Sequence, residues 1–140
     1  MFRLTIRLCA ALCLVCLAIG ASAQDPRTIA VQSSARAWLA FIDKGDAQGA
    51  WNAAGKKFQS TMTAAAWATE LRQAQDKMGK ATRRTVGPAR FESSFPGLPP
   101  GEYAQILFRT SFAKKPDGRE QLTLEREADG QWRVVGYFPR

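Results

Sequence analysis

Histidine is absent from this sequence, and its three cysteines, Cys9, Cys13 and Cys16, all stand near its start. Without histidine the chain loses the commonest metal ligand and the only side chain whose ordinary pKa lies near neutrality. Serine–histidine and cysteine–histidine nucleophile systems are excluded with it, and so are zinc and copper sites of the usual imidazole or thiolate kind. The spacing of acidic residues fits no EF-hand, and no glycine-rich loop suited to phosphate is present. The sequence thus offers no cofactor, no metal site and no assignable catalytic residue.

Long apolar runs are scarce too, and the one that exists reads as an address. Arg3 and Arg7 precede an uncharged run from Leu8 to Gly20, and Ala21-Ser22-Ala23 supplies the small residues that signal peptidase accepts. The run is short of the about 20 residues that a bilayer core requires, so no transmembrane anchor is expected. Leu8, Leu12 and Val15 precede the three cysteines where a lipidated cysteine follows a small residue, so no lipid anchor is expected either. We expect cleavage after Ala23, a periplasmic or secreted location, and one domain over residues 24–140 that carries no cysteine and forms no disulfide. Its size suffices for a core without covalent staples.

What remains is basic, with a formal net charge of +8 over the whole sequence, of which Arg3 and Arg7 contribute two. Such a surface attracts anions. Nucleic acid is not expected as the partner of an exported protein, and the basic residues are scattered apart from short pairs such as Arg83-Arg84 and Lys114-Lys115.

The front half has helical periodicity. Asp25 and Pro26 suit a helix start, and Ile29, Val31, Ala35, Trp38, Leu39 and Ile42 recur at helical spacing up to Gly45. Asp46 caps a short second helix with Ala50, Trp51 and Ala54, which Gly55-Lys56-Lys57 breaks. Thr63 opens a third, with Trp67, Leu71, Ala74 and Met78 as its apolar stripe and Gly79 as its stop.

The back half alternates instead. Strands are expected over 82–95, bent at Gly87-Pro88, then over 102–113, 118–127 and 131–138, joined as an antiparallel meander. Lys115-Pro116-Asp117-Gly118-Arg119 reads as a three-residue hairpin loop with glycine at the left-handed position. It sets Phe112 opposite Leu122, Thr110 opposite Leu124, Phe108 opposite Arg126 and Arg109 opposite Glu125. Glu127 to Gln131 allows the same loop, setting Leu124 opposite Val134, Glu125 opposite Arg133 and Arg126 opposite Trp132. A rival two-residue Asp129-Gly130 turn instead puts Val135 and Tyr137 inward. In the preferred register Phe108, Phe112, Leu122, Leu124, Trp132 and Val134 face the helices, and any cavity opens on the Trp132 side.

The text "ARAWLAFIDKGDAQGAWNAAGKKF", a tryptophan-bearing helix, "GEYAQILFRTSFA" and "DGQWRVVGYFPR" are similar to domain of unknown function 4019, a family of short exported bacterial proteins. Helices followed by a meander also resemble the nuclear transport factor 2-like, cystatin-like α+β roll. That resemblance implies helices packed on a curved four-stranded antiparallel sheet with a cone-shaped cavity. It implies no activity, because isomerases, dehydratases and ligand-binding modules share the roll.

The reading is an α+β roll that binds a small anionic ligand or a periplasmic protein. Trp38, Phe108, Arg126 and Trp132 are the candidate ligand-binding residues, Arg126 because it interrupts an apolar face. The alternatives are an enzyme built on a cavity carboxylate with a tyrosine partner, and an envelope-associated homodimer formed through a sheet face bearing Leu107 and Val135. Glu120 is grouped with the acids of turns and exposed faces.

Overall fold

The computed structural model describes residues 24–140, so the export signal read over 1–23 lies outside the described residues. The first helix, α1 (Pro26–Asp43), starts as its residues require: the Asp25 carboxylate accepts from the Arg27 backbone N–H at 2.9 Å, and Pro26 occupies the first turn. Gly45, at φ +69°, takes the chain out of it. Asp46 caps α2 (Ala47–Ala53) by accepting from Gly49 N–H at 2.8 Å.

The expected break at Gly55-Lys56-Lys57 is a helix start instead. Gly55 precedes a further short helix, α3 (Lys56–Thr61), and has no side chain with which to cap it. The cap comes from far along the chain: Glu127 Oε1 accepts from Lys56 N–H at 2.9 Å. A tertiary carboxylate thereby satisfies a donor that the local sequence leaves orphaned. Thr63 then caps α4 (Ala64–Met78) through Ala66 N–H at 3.1 Å, and Gly79 stops it at φ +78°.

Four strands follow, β1 (Ala81–Glu92), β2 (Tyr103–Phe112), β3 (Lys115–Arg126) and β4 (Trp132–Pro139), in one antiparallel meander of order β1-β2-β3-β4. The register of β1 on β2 shifts between Val86 and Ala89, at the Gly87-Pro88 bend.

The β2–β3 hairpin departs from expectation. Its turn is Ala113-Lys114, and Lys115 already pairs with Phe112. Ile106 lies opposite Leu122, Ala104 opposite Leu124, and Arg109 opposite Arg119, in place of the expected partners Phe112, Thr110 and Glu125. Arg126 does not face Phe108; its backbone N–H donates to Glu102 O at 2.9 Å. The cause is Gly118. It is not in a left-handed conformation, and it is needed for space: a Cβ there would stand 2.5 Å from the Phe112 ring. The slip is an even number of residues, so every side chain keeps its face, and Phe108, Phe112, Leu122 and Leu124 are buried as expected.

The β3–β4 hairpin takes the preferred loop, with Gly130 left-handed at φ +81°, Leu124 opposite Val134, Glu125 opposite Arg133 and Arg126 opposite Trp132. The register then shifts between Thr123 and Leu124 so that Leu122 lies opposite Tyr137. Trp132 and Val134 point inward as preferred, and beyond the irregularity Tyr137 points inward as the rival turn required. Val31, Ala35, Trp38, Leu39 and Ile42 of α1 pack on this sheet face to form the core. Fully burying one such aliphatic side chain contributes roughly 1.5–3 kcal/mol.

Candidate functional site

Period-two alternation from Leu124 through Leu122 carries Glu120 onto the buried face, where its side chain is fully enclosed. A buried carboxylate is tolerable only with partners, and four donors supply them. Arg84 Nε and Thr110 Oγ1 reach Oε2 at 2.5 and 2.7 Å. Arg84 Nη2 and Tyr137 Oη reach Oε1 at 3.1 and 2.7 Å. Arg84 also forms a fork on Asp43 at 2.6 and 2.7 Å.

One network thus ties α1, β1, β2, β3 and β4 together. Burial and the Glu120 charge hold the Tyr137 hydroxyl well above its ordinary pKa of 10.0. For Arg84, burial favours the neutral form, but the hydrogen bonds it donates to Asp43 and Glu120 outweigh this and raise its pKa. A carboxylate has about four lone-pair sites, and all four of Glu120's are taken by donors fixed in the fold. A general base needs one free for the substrate's proton, so this arrangement suits bracing better than proton transfer.

Tyr137 also joins this network to an aromatic cluster. Its ring centroid is 5.2 Å from Trp38 and 6.1 Å from Trp67, and Phe58 lies 5.1 Å from Trp67, edge to face. Trp67, Phe58 and Tyr137 form part of the wall of an open cleft of about 1460 Å³ between α4 and the adjoining ends of β3 and β4. Met62, Leu71 and Val135 add apolar wall, and Lys77, Lys115 and Arg119 stand along it towards the end of α4.

The tryptophans that frame this region differ in one respect. Trp38 Nε1 donates to Ala50 O at 2.8 Å and Trp51 Nε1 to Met62 O at 3.0 Å. Trp67 Nε1 is buried and has no hydrogen-bond partner among the described residues. Buried indole N–H groups are ordinarily paired, so Trp67, whose side chain forms part of the cleft wall, holds an unused donor enclosed behind that wall.

The four residues singled out from sequence lie apart from this cleft. Trp38 is in the aromatic cluster behind it, and Phe108 is fully buried in the core, with the Arg36 guanidinium 5.8 Å from its ring centre. Trp132 is buried against Phe91 at 5.8 Å. Arg126 is exposed, donates to Gly130 O at 3.3 Å, pairs with Glu102 at 3.4 Å, and lines a separate surface cleft of about 590 Å³ with Lys56, Glu127 and Arg133. Leu107 and Val135, offered as a dimer face, are half-buried.

Sequence reasoning missed Glu120, Arg84, Tyr137 and the role of Trp67. For Glu120 the signal was available, since it shares parity with Leu122 and Leu124. For Tyr137 the signal was a single residue: the irregularity in β4 reverses parity at Val135-Gly136, and a glycine inside a strand marks such a bulge. The unpaired state of Trp67 is a property of packing alone.

No curated protein matches this chain. Residues 34–137 match the model of a family described as protein of unknown function, DUF4019. That span runs from the middle of α1 to Tyr137 and takes in the polar network and most of the cleft wall, and the chain belongs to the DUF4019 family.

Proposed function

We propose that this protein is an exported, non-catalytic binding module whose ligand enters the cleft between α4 and β3–β4. The observation that carries the reading is Trp67: a buried N–H without a partner, in the wall of a large open cleft. A ligand that presents an acceptor oxygen and displaces the atoms enclosing Nε1 gains a hydrogen bond and removes the cost of an unsatisfied buried donor, about 1–3 kcal/mol. The cleft exceeds the about 300–1,000 Å³ of ordinary small-molecule pockets, which favours an elongated occupant. Satisfaction of every Glu120 lone pair supports binding over catalysis.

Export rests on Arg3, Arg7, the uncharged run and Ala21-Ser22-Ala23. No helix among the described residues is long and apolar enough to cross a membrane. The test is purification of the protein, expressed as its full chain, directly from the periplasm without denaturation. Native mass spectrometry is expected to show a bound species that dissociates on unfolding. A protein that carries nothing, or that is retained in the cytoplasm, contradicts the reading.

A further inference from the structure

The walls of the cleft are not uniform along its length. At the start of α4 they are apolar, with Phe58, Met62 and Trp67. At the end of α4, where Lys114 N–H donates to Met78 O at 2.8 Å, the β2–β3 turn closes in and the walls become cationic. Lys77, Lys114, Lys115, Arg119 and Arg140 meet there, against Asp117 as the carboxylate at that end. Three of these charges are engaged: Lys114 Nζ donates to Asp76 O at 2.7 Å, Lys115 pairs with Asp117 at 3.4 Å, and Arg140 Nη2 donates to Gln121 Oε1 at 3.3 Å. Lys77 and Arg119 are exposed, and among the described residues no carboxylate pairs with either. The α4 stretch from Trp67 to Lys77 is about 15 Å long at the helical rise. Along that distance the wall passes from the Trp67 ring, past Leu71 and Ala74 with Glu70 and Gln73 beside them, to the cations at the end of α4.

We infer that the cleft takes a linear amphiphile bound as a monomer, with its anionic head at Lys77 and Arg119 and an acceptor oxygen at the far end of its apolar chain, against Trp67. The inference rests on the cleft being the ligand site. Charge complementarity sets the direction of the chain. Burial of methylene groups on Met62, Leu71 and Phe58 supplies affinity. The Trp67 N–H distinguishes a chain that ends in oxygen from one that ends in a methyl group, because the unsatisfied donor is met only by the former.

The test is calorimetric titration of the protein recovered from the periplasm, stripped of ligand by unfolding and refolding, with ω-hydroxydodecanoate below the concentration at which it self-assembles. Saturable one-to-one binding is expected. Dodecanoate should bind about fivefold more weakly, the loss of one hydrogen bond, and Trp67→Phe should abolish that difference. Lys77→Glu with Arg119→Glu, both at exposed positions, should weaken both anions about tenfold or more at unchanged Tm, and added salt should weaken them in the wild type. Dodecanediol, which lacks the charge, should bind at least about tenfold more weakly than ω-hydroxydodecanoate.

Equal binding of the diol overturns the anionic head, and equal binding of dodecanoate overturns the distal oxygen; either leaves the cleft itself as the site. Binding to anionic phospholipid vesicles but not to the monomeric probes overturns the proposal in favour of a membrane surface. If none of the probes binds while natively purified protein carries a ligand, the amphiphile class is wrong. If no probe binds and no ligand is carried, the cleft reading falls with it.

Discussion

At the scale of single residues, the account turns on groups whose polar atoms are fully used and one whose donor is not. Glu120 was legible from alternation, since a residue two before Leu122 and four before Leu124 shares their face, but grouping it with exposed acids concealed the one fully buried carboxylate among the described residues. Removing it as Glu120→Ala leaves Arg84 largely enclosed with Asp43 as its remaining partner. We expect a loss of about 3 kcal/mol, the low end for breaking a buried pair, measured by denaturant unfolding. Tyr137→Phe removes one donor from Glu120 and should cost about 1–2 kcal/mol. Tyr137 also sets an alkaline limit. Its pKa is raised on folding, so the stability it contributes is complete below its ordinary value of 10.0 and is lost as pH rises beyond it. Ultraviolet absorbance should show a tyrosinate step that coincides with unfolding and is smaller by one of the two tyrosines in Tyr137→Phe; a reversible early step in the native state that the variant removes would refute this. Trp67→Phe deletes an unpaired N–H and is expected to cost less than Trp38→Phe, which orphans the Ala50 carbonyl, by about 1 kcal/mol or more.

At the scale of elements, glycine carried the reading of both hairpins, and it misled in one. Gly130 and Gly118 each follow an aspartate and look alike in the sequence. Gly130 is left-handed, and a Cβ there would meet no atom nearer than 3.8 Å, whereas Gly118 lies in β3 under the Phe112 ring. The two therefore fail differently on substitution. Gly130→Ala should cost about 1–2 kcal/mol through backbone strain, and Gly130→Asn should recover part of it. Gly118→Ala should cost about 1–3 kcal/mol through overpacking, and Phe112→Leu should relieve the Gly118 variant without helping the Gly130 variant. Equal rescue of both would place Gly118 in a turn after all. In the same β3–β4 loop, hydrogen bonding to Arg133 lowers the Asp129 pKa to about 2. Its contribution to stability is then present above its ordinary 3.8 and fades as pH falls towards about 2, a limb that Asp129→Asn should flatten in acid unfolding curves. The extra helix α3 was illegible for a different reason, because its cap is Glu127 from the far end of the chain.

At the scale of the whole molecule, the α+β class, the meander and the inward face of Phe108, Phe112, Leu122 and Leu124 were legible, because period and parity survive an even slip in register. The cleft proposed as the ligand site was not. Arg126 and Trp132 drew attention as a charge on an apolar face, but the large cleft lies at the other end of β3 and β4, where the irregular strand turns Tyr137 inward and α4 stands beside it. The measurement that bears most directly on this cleft is the indole N–H spectrum of the four tryptophans, recorded by heteronuclear NMR on natively purified protein and on the same protein after unfolding and refolding free of ligand. The account predicts that Trp67, assigned through Trp67→Phe, differs between the two samples, shifted by a hydrogen bond in the native one, while Trp38, already bonded to Ala50, does not. Identical Trp67 signals in the two samples, or a change confined to Trp132, would contradict it.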